Sequence, residues 1–417
     1  MAVLNGFLNL GLDAWLLVGN KQSHHPRVVS LHSSPFFDSR PYMAAHQSGA
    51  IELRRGLHHA LGIEDFNHPY SRRIEQMTGS LPDLVLCHNL HGGYFDLSAL
   101  ISLSHRLPVA LRLFDTWLQT GHCAYSLGCE RWRTGCGQCP DLTIPPALAR
   151  DATGFNLRRK RRMFEKSRLF VSAETCWMLD RARQSALEPA VVEWKHIRGG
   201  VDLEVFFAGS REDARRELGL ELDPDTRLLL YVAHQGSANR HKDFGTVQMA
   251  LELLNRRHPG RRILLLVVGS DAADRQVGSN ILIRHAGAVA SPARLAAFYR
   301  AADLLIHSAI EETFGNVVAE ALACGTPVLV ASGGGVVELI VQGHTGMVVP
   351  PRRPALLAEV IARLLDAPEL CARMGAAAAL SAQRHLDIRS TVRDLHAWCS
   401  AIHAAWHGQP AVVEAAP

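Results

Sequence analysis

One stretch constrains this chain more than any other. Glu311-Glu312-Thr313-Phe314-Gly315-Asn316-Val317-Val318-Ala319-Glu320 runs into Ala321-Leu322-Ala323-Cys324-Gly325-Thr326-Pro327 and the apolar Val328-Leu329-Val330. Val317, Val318, Ala321 and Leu322 recur at helical spacing, Gly325 suits the left-handed residue that ends a helix, and Pro327 cannot continue one. The segment therefore reads as loop, short helix, glycine stop and buried strand. Asn316 and Glu320, four apart, share a helix face. A loop entering a helix at Gly315 presents unpaired backbone N–H groups, which suit a phosphate, and Glu312 and Glu320 offer acceptors to sugar hydroxyls.

Strand-sized apolar runs flank this stretch on both sides. After Asp202 they fall at 228–232, 263–268, 280–284, 304–307, 328–330 and 347–349, with helical segments at 246–257 and 356–365 between. Before it they fall at 14–18, 28–31, 84–87, 109–113 and 169–171, with helices at 98–105 and 157–166. Strands alternating with helices predict parallel sheets covered on both faces, an α/β class. Residues 32–69, rich in His, Ser and Pro, read as largely irregular. Between the halves, Gly199 and Gly200 interrupt the pattern and mark a hinge. A length of 417 residues allows two cores.

The Glu312-to-Glu320 run, with Phe314-Gly315 inside and the Ala-x-Ala-Cys-Gly-Thr-Pro-Val tail, resembles the Glu-x7-Glu signature of family 4 retaining glycosyltransferases. The resemblance implies the GT-B fold, two Rossmann-like domains facing across a cleft. It implies that Glu312 lies by the donor sugar, that Glu320 binds the ribose, and that the intervening backbone of Phe314, Gly315 and Asn316 helps hold a nucleotide-sugar donor. The segment from Arg198 to Phe206 is similar to that family's Asn-Gly-Val-Asp-x-x-x-Phe domain crossover, with Arg198-Gly199 in place of Pro-Asn. The expected division is an acceptor-side domain at 1–196, a hinge at 197–207, a nucleotide-sugar-binding domain at 208–387, and residues 388–417 as a helix packing back on the first domain, then a tail.

After the strand at 228–232 comes a basic loop, Ala233 to Phe244. Positive charge at a strand's carboxyl end suits a diphosphate. The family carries a basic pair before a glycine there. In this register Lys242 is retained, Arg240 substitutes for the missing Arg, and Asp243 replaces the glycine. Lys242, Arg240 and Glu312 are the expected catalytic residues; the alternative is an ordinary basic loop. In the first half, Cys87-His88-Asn89-Leu90-His91-Gly92-Gly93 follows a strand, and its two histidines read either as ligand contacts or as structural groups. Similar enzymes place a His before Asp115, where this chain has Phe114, a side chain that neither donates nor accepts a hydrogen bond.

Cys123, Cys129, Cys136 and Cys139, at C-x5-C-x6-C-x2-C spacing within 121–140, read either as a structural zinc site or as reduced, unligated thiols. A similar cysteine-rich insertion marks a bacterial polysaccharide-building branch of the family. The run Arg158-Arg159-Lys160-Arg161-Arg162 reads as a solvated helix face or as a contact to anionic lipid headgroups or a lipid-linked diphosphate. A formal net charge of +4 argues against a nucleic-acid binder. The longest apolar runs are too short to span a bilayer and the N-terminus lacks a basic leader, so a cytoplasmic protein, peripheral at the inner membrane at most, is expected. Residues 1–10 read as the end of a helix; the strand and glycine-rich loop that precede it in similar enzymes are not visible, so the first domain reads as truncated by a late start or by loss.

The expected reaction is retaining transfer of a sugar from a nucleotide sugar to a saccharide or lipid-linked saccharide acceptor in polysaccharide building, without a catalytic metal. The competing readings are a catalytically impaired binding or scaffold protein of the same fold and, less well matched to the motif, a sugar-nucleotide epimerase.

Overall fold

The computed structural model describes residues 1–31, 49–233 and 239–408. The chain divides into two units, residues 1–197 with 392–417 and residues 198–391.

The first unit runs α1 (Ala2–Asn9), β1 (Leu16–Val18), β2 (Val28–Ser30), α2 (Gly49–Ala60), β3 (Val85–His88), α3 (Ala99–Arg106), β4 (Val109–Leu113), α4 (Thr153–Phe164), β5 (Leu169–Ala173), α5 (Cys176–Ala182) and β6 (Val191–His196). Strands β3 to β6 form a parallel four-stranded sheet in chain order. Its middle strands β4 and β5 are buried at every residue, as strands covered on both faces must be.

Three details differ from expectation. The runs at 14–18 and 28–31 do not join that sheet: β1 and β2 pair only with each other. Strand β6 was not foreseen, because its Glu193, Lys195 and exposed Val192 belong to a half-solvated edge and do not make an apolar run. Helix α2 lies in the stretch expected to be irregular, whose residues 32–48 are outside the described residues.

The second unit contains α6 (Arg211–Glu217), β7 (Arg227–Val232), α7 (Phe244–Arg257), β8 (Ile263–Val268), β9 (Arg275–Val277), β10 (Ile281–His285), α8 (Pro292–Ala301), β11 (Leu304–His307), β12 (Glu311–Glu312), α9 (Asn316–Ala323), β13 (Val328–Ala331), β14 (Gly333–Gly334), β15 (Met347–Val349), α10 (Pro354–Leu365) and α11 (Pro368–His385). Its main sheet has the order β15-β13-β11-β7-β8-β10-β9, parallel except for the short β9 at the edge. The chain thus winds outward from β7 in one direction, then returns to β11 and winds outward in the other. That reversal makes the gap between β7 and β11 the topological switch point.

Period-two alternation sorts the side chains. Leu228, Leu230, Leu264 and Leu266 enter one core with α8 and α9, whereas Leu229, Tyr231, Leu265 and Val267 enter another with α7 and α10. The last helix, α12 (Ile388–Trp406), begins in the second unit and ends in the first. Its Leu395, Trp398 and Ile402 share a core with Ala110, Phe170 and Ile197, and Trp398 Nε1 donates to Glu193 at 3.1 Å.

Candidate functional site

The switch point of the second unit gathers its charged residues. The turn 240–242 follows β7, and its backbone is pinned on three sides. Tyr231 Oη and Ser308 Oγ donate to Lys242 O at 2.7 and 2.9 Å, and Ile310 N donates to His241 O at 3.0 Å. Asp243 holds φ 49°, a left-handed conformation natural to glycine, and its carboxylate accepts from Thr246 Oγ1 at 2.7 Å at the start of α7. Asp243 therefore serves the helix entry.

Lys242 reaches Glu312 on β12, Nζ to Oε2 2.5 Å. Glu312 is 7% exposed. Burial works to raise its pKa, but Lys242, His307 and His241 outweigh it and hold the carboxyl below its ordinary range. Two imidazoles flank the same oxygen, His241 Nε2 at 3.9 Å and His307 Nε2 at 3.8 Å. Burial, and then Lys242, push them down to about 4 and about 3, so both are neutral at pH 7. Arg240 is exposed on the same turn. In the sequence His307 is only the end of an apolar run, and nothing in its neighbourhood signals that β11 places it by a carboxylate five residues on.

Strand β12 pairs with β14, Glu312 opposite Gly334. A Cβ on Gly334 would lie 2.4 Å from Glu312 O, so glycine is what lets the two strands close around this carboxylate. Gly315, φ 87°, turns the chain into α9, and a Cβ there would meet Val336 at 2.5 Å. Asn316 is exposed at the first turn of α9. Phe314 is a core side chain, 2% exposed, so only its backbone remains to face a ligand. Glu320 accepts a hydrogen bond from Tyr299 Oη at 2.7 Å; burial pushes its pKa up to about 7, with that bond acting the other way.

In the first unit, His91 Nε2 lies 2.8 Å from Asp115 Oδ2, and Asp115 Oδ1 accepts from Trp117 N at 2.8 Å. Phe114 sits over His88, ring centroids 5.3 Å apart, and beside the Arg112 guanidinium, which pairs with Glu174 at 3.1 Å. Burial, then Arg112, push His88 down to about 4.

Cys123, Cys129, Cys136 and Cys139 line one cavity of about 20 Å³ with His122, whose Nε2 lies 3.4 Å from Cys139 Sγ. The backbone wraps it tightly: Gly135, Cys136, Gly137 and Gln138 all have positive φ. Among the described residues no three of the four sulfurs lie within 4.8 Å of one another. The neighbouring basic run is not one charged face. Lys160 is fully buried, bound to Glu64 at 2.9 Å and to the carbonyls of Trp117 and Thr120 at 2.9 and 3.1 Å. Arg159 stacks on Phe66 and Phe155, leaving Arg158, Arg161 and Arg162 exposed.

Residues 212–380 match the family described as glycosyl transferases group 1. The D-inositol 3-phosphate glycosyltransferase of Pseudarthrobacter chlorophenolicus is 33% identical over 212 residues, 49% of this chain and 49% of that protein. The chain thus spans about half the length of the curated relatives it matches. Sucrose-phosphate synthase from Thermosynechococcus elongatus superposes with a TM-score of 0.63 at 19% identity, over 97% of this chain and 92% of that one. HepE of Anabaena, solved in complex with UDP-glucose, gives a TM-score of 0.55 at 18% identity, over 87% of this chain and 93% of that one. These likenesses show the fold: an α/β chain of the GT-B class with two Rossmann-like parallel sheets.

Proposed function

We propose that this chain is a retaining glycosyltransferase that moves a sugar from a nucleotide sugar to a saccharide or lipid-linked saccharide acceptor. The observation that carries the reading is the Lys242–Glu312 pair at the switch point of a Rossmann-like unit whose sequence matches group 1 glycosyl transferases. Open α/β sheets bind ligands at such points, and the N-terminus of α9 opens beside the pair with N–H groups suited to phosphate.

In this mechanism Lys242, with exposed Arg240, stabilises the diphosphate as the bond from the anomeric carbon to its oxygen breaks. The acceptor oxygen bonds to that carbon on the same face, and its proton passes to the departing phosphate oxygen. Glu312 orients the sugar hydroxyls. Glu320, near neutrality in its protonation, holds the ribose hydroxyls as donor or acceptor. No metal takes part in these steps. Calorimetry with UDP-glucose, then with other nucleotide sugars ranked by thermal shift, tests the reading. Lys242→Ala is expected to weaken donor binding by roughly 10- to 100-fold, the loss of one hydrogen bond to a charged group. Unchanged donor affinity in Glu320→Ala would remove the ribose assignment.

Phe114, where a hydrogen-bonding His is expected, favours a second reading, a binding protein of the same fold. Release of free nucleotide diphosphate in the presence of acceptor separates the two.

Two accessory features belong to this reading. A zinc ion held by Cys123, Cys129, Cys136 and Cys139 would tie the loop 121–140 to the body of the first unit. The donor set and the single small cavity support it, and the sulfurs would close inward on binding, toward Zn–S distances of about 2.3 Å. A peripheral membrane contact is supported by α2, whose Leu53 and Leu57 are 76% and 56% exposed on one face. Just past the end of α2, Gly62 O accepts from Asn156 Nδ2 of α4 at 2.9 Å, which ties α2 to the helix that carries the exposed Arg158, Arg161 and Arg162. Salt-insensitive or absent sedimentation with anionic vesicles would sink that contact.

A further inference from the structure

We propose that His307 is the second holder of Glu312, taking the carboxylate as Lys242 turns from it to the diphosphate of a bound donor. The inference rests on the reading above for what draws Lys242 away; the cluster itself is in the geometry. Glu312 is buried, and the ammonium of Lys242, 2.5 Å from Oε2, is its nearest counter-charge. A donor diphosphate would engage that ammonium and set a second anion beside the carboxylate. A buried carboxylate deprived of its partner is costly, so another donor must be within reach.

Two imidazoles are, and their settings differ. His241 Nε2 lies 3.9 Å away, on the same turn as Lys242 and next to it in the chain. His307 stands on β11, between β7 and β13 in the middle of the sheet, and is 2% exposed. Its Nε2 has no hydrogen-bond partner among the described residues and lies 3.8 Å from Glu312 Oε2. A shift of about 1 Å brings the two to hydrogen-bond distance. The same withdrawal removes one of the causes that keep His307 neutral, since the Lys242 charge works with burial to depress it. His307 is thus a positioning residue: it keeps Glu312 directed at the sugar while Lys242 is occupied.

The test is a double-mutant cycle read by thermal unfolding, with Lys242→Met standing for the absent ammonium. His307→Phe is expected to lower Tm by about 3 °C or more beyond its cost in the wild-type background. His307→Gln, which keeps an N–H donor, should add no such penalty, and Glu312→Gln should abolish the difference. Equal cost of His307→Phe in both backgrounds, or a difference that survives Glu312→Gln, would overturn the proposal. Calorimetry with UDP as probe reads the hand-over on the donor side: His307→Phe should weaken UDP by roughly tenfold while His307→Gln does not. Identical affinity in both variants overturns it. Failure of UDP to bind the wild-type protein, with the cycle positive, would remove the donor reading and leave the coupling of His307 to Glu312 standing.

Discussion

Glu312 and Glu320, eight positions apart, meet opposite electrostatics. Glu312 faces an ammonium and stays ionised, whereas Glu320 has no cation beside it among the described residues and burial pushes it up to about 7 against the opposing hydrogen bond from Tyr299. A raised carboxyl pKa in the folded state means that folding binds a proton there. The resulting stabilisation is complete below the unfolded value near 4.5 and is lost as pH rises through about 7. Glu320→Gln, which keeps the acceptor for Tyr299, should therefore gain stability relative to wild type between pH 5 and pH 8, by up to ~3 kcal/mol. Paired thermal melts at the two pH values read this, and a pH-independent difference would refute it. The motif and its spacing were legible in the sequence. The contrast between them was not, because it depends on Lys242, 70 residues away from Glu312 along the chain, and on the burial that the fold imposes on Glu320.

Helix α4 shows the limit of reading charge from composition. In the string, Arg158 to Arg162 are alike. In the fold, the helix turns Lys160 inward onto Glu64 and beneath the Trp117 ring, 3.9 Å from its centroid. Lys160→Met leaves Glu64 buried without its cation and is expected to cost about 3–5 kcal/mol in urea unfolding. Arg161→Ala with Arg162→Ala should change stability by less than about 1 kcal/mol, because both are exposed. The adjoining cysteine loop is the second element with a sharp expectation. Protein purified without chelator should carry about one zinc per chain by elemental analysis. A metal-free sample would leave the four thiols as packing groups.

At the scale of the molecule, the chain leaves its first unit at Ile197 and returns to it inside α12. Trp398→Ala, far beyond the second unit in sequence, should therefore destabilise the first. A loss of roughly 3–5 kcal/mol is expected for so large a side chain. Hydrogen exchange should quicken in the peptides containing β4 and β5, which supply Ala110 and Phe170 to that core, and stay unchanged in β7 and β8. Uniform quickening in both units would contradict this.

The sequence by itself determined the α/β class, six of the nine strands of the second unit to within a residue or two, with the short β9, β12 and β14 escaping it, and the glycine-stopped helix after Gly315. These are local properties: period, capping and chain-breaking act over a few residues. Only the tertiary structure decided that Lys242 closes on Glu312 with His307 behind it, that Lys160 is a buried anchor, and that β1 and β2 stand apart from the first sheet. Those outcomes follow from strand order and from which helix covers which face, and they join residues that no local pattern connects.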